Sequence, residues 1–416
     1  MPPATFCSST LRANRVGGGA RGWHARTESR LHSPAVDSAL GSAGMLAAYL
    51  DWITASALPF WAERGFDRRA GRFHERLDLT GAPLAVPHRA MAQARQIFVF
   101  AHAAELGWAK EGGRLAEAAM VSLLRDFAET AGDETSFAFA IDPASGAVCA
   151  SERDAYAHAF ILFALAALHR LNEDPNLLEV ADRVIRFIER RLTDPVHGGL
   201  FDALPAPSEK RQNPHMHLLE AYLLLARVAP GRGHEKRAAS LVDLFRRRFL
   251  RDGILIEHFA ADWSVARPTW EPGHHFEWVW LLDEYAAITG APVEREMGAL
   301  YRSGVEQGVA ADGLIVDALA PDGAILHPSH RIWPHCEAIK AAAARGDGAL
   351  AEAMAAGLMR HFLDRPFAGG WTDHVSPEGA ALVDYVPAST LYHLVLAASV
   401  AAKSFAAAPA LAKTAS

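Results

Sequence analysis

A chain of 416 residues with a formal charge of −7 and half its residues hydrophobic has the composition of an ordinary globular protein. No apolar run approaches the ~20 residues of a membrane span, and no Lys/Arg block offers a footing for nucleic acid or a membrane surface. Cys7, Cys149 and Cys336 are too few and too scattered for a disulfide framework or a zinc cluster, so a reducing, cytoplasmic setting is the default expectation.

The first 44 residues are rich in Arg, Ser and Gly and lack helical periodicity. Without an apolar h-region the stretch is a poor secretory signal. It reads as a disordered extension or as sequence upstream of a start at Met45, with a transit peptide as the alternative. Residues 45–407 are expected to form a single domain and 408–416 a frayed tail.

From Met45 onward, apolar-periodic segments alternate with Gly-rich turns. The periodicity predicts twelve helices near 45–64, 88–107, 113–131, 153–172, 175–193, 213–229, 233–249, 273–289, 291–307, 334–345, 347–363 and 387–406. Joins into even-numbered helices are long and resemble one another. AGRFHERLDLTG (70–81), TSFAFAIDPASG (135–146), HGGLFDAL (197–204), DGILIEHFAADWS (252–264), DGLIVDALAPDG (312–323) and AGGWTDHVSPEG (368–379) each read as a short β-hairpin. Their central apolar residues, Phe73, Phe139, Phe201, Leu255, Leu314 and Trp371, recur at intervals of 66, 62, 54, 59 and 57. Six such units indicate a repeat architecture, either a closed ring of six helix pairs or an open α-solenoid.

A polar group opens each even-numbered helix: Arg95, His158, His217, His274, His335 and His393. If the even helices form an inner ring, these groups converge on the hairpin end of a central cavity, among helix N-termini that favour negative charge. NPHMHLLEA and PGHHFEWVWLL each place Glu three residues after His, so His217 and Glu220, and His274 and Glu277, share a helix face. Glutamate beside imidazole fixes its tautomer, as acid–base catalysis requires. Arg95 opens an apolar run and must have an oxygen ligand to hold it there. In RIWPHCEAIKA, Trp333 is read as a sugar-stacking surface or core, and Glu337 as a ligand or an ion-pair partner. His275 and His215 read as structural or rim residues, and Ser389 or Thr390 as the cap of the last helix. HExxH is absent, no acidic cluster suits Mg²⁺, and no metal or other cofactor is expected.

ARQIFVFA, YAHAFILFALAAL, NPHMHLLEA, PGHHFEWVWLL, IWPHCEA and PASTLYHL, taken together, resemble the N-acylglucosamine 2-epimerase superfamily across residues 45–406, and within it most resemble the mannose isomerase branch. The resemblance implies an all-α, (α/α)6-barrel fold and metal-independent sugar chemistry, with His274 and His393 as acid and base. It implies sugar contacts from Arg95, His217 and Glu277, to which the reading of the residues adds His158, Glu220, Trp333 and Glu337. The family often has glutamine where this chain has His335, which leaves the role of that position open.

The function expected is interconversion of an aldose and a ketose, of the D-mannose/D-fructose type, through an enediolate. The near alternative is a 2-epimerase of the N-acylglucosamine or cellobiose type. A glycoside hydrolase needs two opposed carboxylates and a silent binding barrel needs no acid–base pair, so both are remoter readings. A small monosaccharide is the expected partner, with neither nucleic acid nor membrane, and a homodimer is compatible with the composition.

Overall fold

The computed structural model of the chain describes residues 44–405. The extension expected over the first 44 residues lies outside them, Gly44 excepted, and so does the tail. Twelve helices follow in pairs. The first, α1, spans 45–63 with its middle turn, Ile53–Ala57, wound as a π-helix. Then come α2 (Ala90–Glu105), α3 (Gly112–Asp126), α4 (Ala155–Asn172), α5 (Pro175–Phe187) and α6 (Asn213–Val228). The second half holds α7 (His234–Leu244), α8 (Pro272–Thr289), α9 (Glu294–Gly308), α10 (Trp333–Arg345), α11 (Gly348–Gly357) and α12 (Leu391–Phe405).

Composition sorts these helices into two rings. α5 buries Leu177, Leu178, Ala181, Val184 and Ile185, a single stripe at helical spacing, and turns its charged side outward. α2, α4, α6 and α8 are buried almost all round over most of their length. The even-numbered helices therefore form the inner ring, each packed on the next, and α12 returns to α2. The ring is latched where its ends meet: Tyr385–Pro387 pairs antiparallel with Arg76–Asp78, and the Tyr49 hydroxyl donates to the Leu394 carbonyl. A closed (α/α)6 barrel is thus established and an open solenoid is excluded.

The long joins gather at the N-terminal ends of the inner helices, but as a linked collar rather than six separate hairpins. His88–Arg89 pairs with Ala140–Ile141, Arg153–Asp154 with Ala203–Leu204, Glu209–Arg211 with His258–Ala260, and His330–Arg331 with His374–Val375. Each strand that leads into an inner helix is bonded to the next repeat's hairpin. The expected helix 113–131 also stops early. α3 ends at Asp126, and Ala128–Ala131 pairs with Glu134–Phe137 around Gly132, whose φ of +57° closes the turn. Ala-Glu-Thr-Ala has helical propensity, but cross-strand pairing overrides it.

One repeating contact fixes the collar to the barrel. Gln93 Oε1 accepts the Phe73 N–H at 3.0 Å, and its amide donates to the Phe73 carbonyl. In later repeats histidine does the same work: Nε2 of His158, His215, His275 and His335 accepts the N–H of Phe137, Leu200, Leu255 and Ile315. Nδ1 of His158, His215 and His335 donates to the carbonyl four residues earlier. The equivalent hairpin residues are thus Phe73, Phe137, Leu200, Leu255, Ile315 and Trp371, each bridged to the end of the preceding outer segment. This corrects the repeat alignment expected from sequence at Phe139, Phe201 and Leu314. The error of one or two residues arose because apolar neighbours in a hairpin look alike.

Candidate active site

The anchor contact sets the register for everything inside the barrel. Two residues beyond each of these five anchors one side chain points inward, namely Arg95, Phe160, His217, Glu277 and Glu337, and His393 holds the corresponding place on α12. His158 and His335 are anchors and do not belong to this layer. Both are fully buried, and neither lines the cavity. Burial depresses both to about pKa 4, so they stay neutral hydrogen-bonding groups. The sequence periodicity mixed the two layers because they lie only two residues apart.

A cavity of about 380 Å³ opens at the collar end, within the ~300–1,000 Å³ usual for small-molecule sites. Arg95, His217, His274, Glu277, Trp333 and His393 line it, joined by Tyr156, Asn213 and Glu257. Glu220 and Glu337 are buried behind the cavity wall and act on their neighbours. His217 Nδ1 donates to Glu220 Oε2 at 3.0 Å, and the Tyr392 hydroxyl donates to the other oxygen of that carboxylate. His393 Nδ1 donates to Glu337 Oε1 at 2.7 Å. Both imidazoles therefore have Nε2 left for the cavity.

Trp333 stands between the two histidines at the rim. Its ring centroid is 4.9 Å from that of His274 and 5.7 Å from that of His393. The close approach explains the glycine of PGHH: a Cβ on Gly273 would lie 2.5 Å from the Trp333 indole.

The environments of the pair differ in sign. Burial lowers the His393 pKa well below 6.5, and Arg95, Lys340 and His217 push the same way. Burial also works against charge on His274, but Glu257 and Glu271 overcome it and raise this group to about 9. His274 Nδ1 lies 3.0 Å from Glu257 Oε1, and Asn213 Nδ2 is 3.2 Å from Nε2. The surroundings thus favour the imidazolium on His274 and the neutral imidazole on His393.

Glu257 is the residue that the sequence reading missed, and a signal for it exists. In three repeats the hairpin acid is neutralised by an arginine that gives it both backbone N–H and Nε. Arg89 does this for Glu75, Arg211 for Asp202 and Arg331 for Asp317. In the fourth repeat the arginine position holds Glu271, so Glu257 keeps its charge for His274. Thr390 likewise does something other than capping: its hydroxyl donates to Asp373 at 2.6 Å.

Among the described residues Arg95 has no carboxylate partner. Its guanidinium donates to the Tyr156 hydroxyl and, at 3.2 Å, to the Ser389 carbonyl, and sits 4.2 Å over the Phe160 ring and 4.9 Å over Tyr392. Glu277 is 1% exposed and neither of its oxygens has a hydrogen-bond partner. Burial, reinforced by the neighbouring Glu337, raises its pKa well above 4.5, so it is a protonated acid able to donate. Ligand atoms of His217, Glu220 and Glu277, and of Glu277, Glu337 and His393, lie within 4.8 Å of one another and are the described groups able to close on a metal ion. The second group already has the Lys340 ammonium 2.6 Å from Glu337.

A ring of helix pairs around an imidazole-rich pocket of this size is a setting for acid–base chemistry on a small molecule, and the likeness to known proteins gives the class, an enzyme that isomerises or epimerises carbohydrates. The sequence pattern of N-acylglucosamine 2-epimerase (GlcNAc 2-epimerase) matches residues 71–397. The chain is 33% identical over 370 residues to a mannose-6-phosphate isomerase of Rhizobium meliloti (strain 1021), covering 83% of this chain and 94% of that protein. It is 30% identical over 227 residues to a D-mannose isomerase of Thermobifida fusca, covering 48% of this chain and 55% of that one. The cellobiose 2-epimerase structure from Spirochaeta thermophila superposes with a TM-score of 0.78 at 22% identity, covering 89% of this chain and 97% of that one. The chain belongs to the N-acylglucosamine 2-epimerase family, and its substrate is a small carbohydrate. No described helix is long and apolar enough to cross a membrane.

Proposed function

We propose that the protein isomerises a free aldohexose of the D-mannose type to the corresponding ketose, with His393 and His274 as the proton-transferring pair. The observation that carries this reading is the placement of two histidines on either side of one tryptophan, His274 beside Glu257 and Glu271 and His393 backed by Glu337. In a pocket built for enolisation, one group must accept a proton from carbon while another supplies one to oxygen. Once the ring has opened, His393 Nε2 takes the C2 proton while the His274 imidazolium protonates O1. Arg95 stabilises charge on the enediolate, His217 Nε2 accepts from one sugar hydroxyl, and neutral Glu277 donates to another. After exchange of its proton with solvent, His393 protonates C1, O2 gives its proton back to His274, and the ketose leaves. Trp333 supplies the apolar face against which the sugar stacks.

Two observations favour a free sugar over a phosphate ester. The rim arginines Arg89, Arg211 and Arg331 are each paired to a carboxylate, Arg331 to both Asp317 and Glu271. The remaining cationic guanidinium, Arg95, is only 5% exposed and held by neutral groups. The likeness to a D-mannose isomerase supports the same substrate, and the name of the Rhizobium relative makes mannose 6-phosphate the comparison to run. Epimerisation is the second reading, since an imidazolium opposite the base can protonate C2 from the other face.

Proton NMR in D₂O tests both. D-mannose is expected to give fructose first, with deuterium at C1 of the product. Mannose 6-phosphate, N-acetylglucosamine and cellobiose are expected to turn over far more slowly. A C2 epimer appearing before any ketose, or preferred turnover of the phosphate ester, overturns the assignment.

A further inference from the structure

One turn below the site, the six inner helices present Phe98, Phe163, Glu220, Trp280, Lys340 and Leu396, each three residues beyond an inward-pointing position. Five of them line a second, apolar cavity of about 450 Å³ at the opposite end of the barrel. Lys340 does not. It is 0% exposed, and its Nζ turns toward the active site, 2.6 Å from Glu337 Oε2 and 4.0 Å over the Trp280 ring, which separates it from the second cavity.

We propose that Lys340 is a positioning residue for the reaction: a built-in cation that keeps Glu337 ionised and thereby holds the proton of His393 on Nδ1, leaving the Nε2 lone pair for the substrate. The inference rests on the reading of His393 as the base. Glu337 divides its oxygens between the two groups, Oε1 toward His393 Nδ1 at 2.7 Å and Oε2 toward Lys340 at 2.6 Å. A carboxylate buried this completely, and stripped of its cation, takes up a proton. A protonated Glu337 can donate to Nδ1. The imidazole proton then resides on Nε2, the tautomer that cannot accept a proton from carbon.

The groups around Lys340 and His393 agree with this assignment. Glu277 from α8, Glu220 and His217 from α6, Tyr392 from α12 and Arg95 from α2 complete the surroundings. Burial works against charge on Lys340, but Glu337, the largest opposing influence, holds it as an ammonium, with Glu220 behind it. Burial raises both Glu337 and Glu277, but Glu337 has the Lys340 ammonium against its Oε2, at 2.6 Å, to lower it again. One ammonium among three carboxyls thus decides which of them is the acid and which the anion.

The test compares D-mannose turnover by the full-length wild type, Glu337→Gln, Lys340→Met and the double variant, with ¹⁵N-histidine NMR of each. Lys340→Met is expected to lower kcat about 10²-fold while KM moves less than about threefold. The double variant is expected to be no slower than Glu337→Gln alone. The His393 resonances, assigned by difference from His393→Gln, should move from the Nδ1–H to the Nε2–H tautomer in Lys340→Met. Losses that multiply in the double variant, or a kcat and pH profile left unchanged by Lys340→Met, overturn the proposal. Should Lys340→Met fail to fold, the double variant removes both buried charges and its comparison with Glu337→Gln decides the same question. An Nε2–H tautomer in the wild type also overturns it, whatever the variants do. A His393→Gln enzyme that keeps its activity refutes the base assignment instead, and leaves the tautomer result standing as a separate observation.

Discussion

His274 and His393 face the same cavity from the inner helices on either side of α10, yet their surroundings favour opposite protonation states. Glu257 and Glu271 hold His274 charged up to about pH 9, while burial and the nearby Arg95 and Lys340 keep His393 neutral well below pH 6.5. The pH dependence of kcat/KM follows directly. Activity should rise as His393 loses its proton, on a limb well below pH 6.5, and fall near pH 9 as His274 loses its own. A titration series between pH 4 and 10 checks both limbs. A profile that already falls close to pH 6.5, well short of pH 9, would mean that His274 is not working as an imidazolium.

Glu257 is the largest of the charges that raise His274. Glu257→Gln removes that charge while keeping a side chain able to meet Gln212, which donates to Glu257 Oε2 at 3.0 Å. The His274 pKa should drop, so the alkaline limb moves toward neutrality by about one to two pH units, the scale of a close opposite charge. The loss should therefore be larger at pH 8 than at pH 6. An equal loss at both would assign Glu257 a packing role.

His335 should behave as a fold residue. It accepts the Ile315 N–H at 3.1 Å and donates to the Arg331 carbonyl at 3.0 Å, with no exposure. His335→Ala strands two buried backbone groups, a cost of about 1–3 kcal/mol each, visible as a lowered urea midpoint. His335→Gln should be much milder, because Gln93 makes the equivalent contact in the first repeat. Both variants should keep kcat/KM within about threefold once folded. A selective loss of kcat in His335→Gln would return this residue to the site.

The sequence carried the architecture and most of the pocket because both depend on periodicity. Twelve apolar-periodic segments, Gly-punctuated joins and a spacing near sixty are properties of a ring of equal units, and His217, Glu277 and His393 stand at equivalent points in it. The assignment of His158 and His335 was lost because the anchor and inward-facing layers are two residues apart, and histidine suits both. The hairpin acids were lost for a different reason. Whether Glu257 is neutralised depends on a residue fourteen positions away, and only the folded collar shows that Glu271 replaces the arginine found in other repeats.

The most direct test of the account concerns carbon-bound hydrogen. With D-mannose in D₂O, the wild type should wash the C2 proton out of the sugar as ketose forms, and His393→Gln should slow that exchange by about 10³-fold or more, the contribution of a positioned base with its supporting geometry, while still binding the sugar. Exchange by His393→Gln at close to the wild-type rate would contradict the central claim, since the C2 proton would then be leaving by another route.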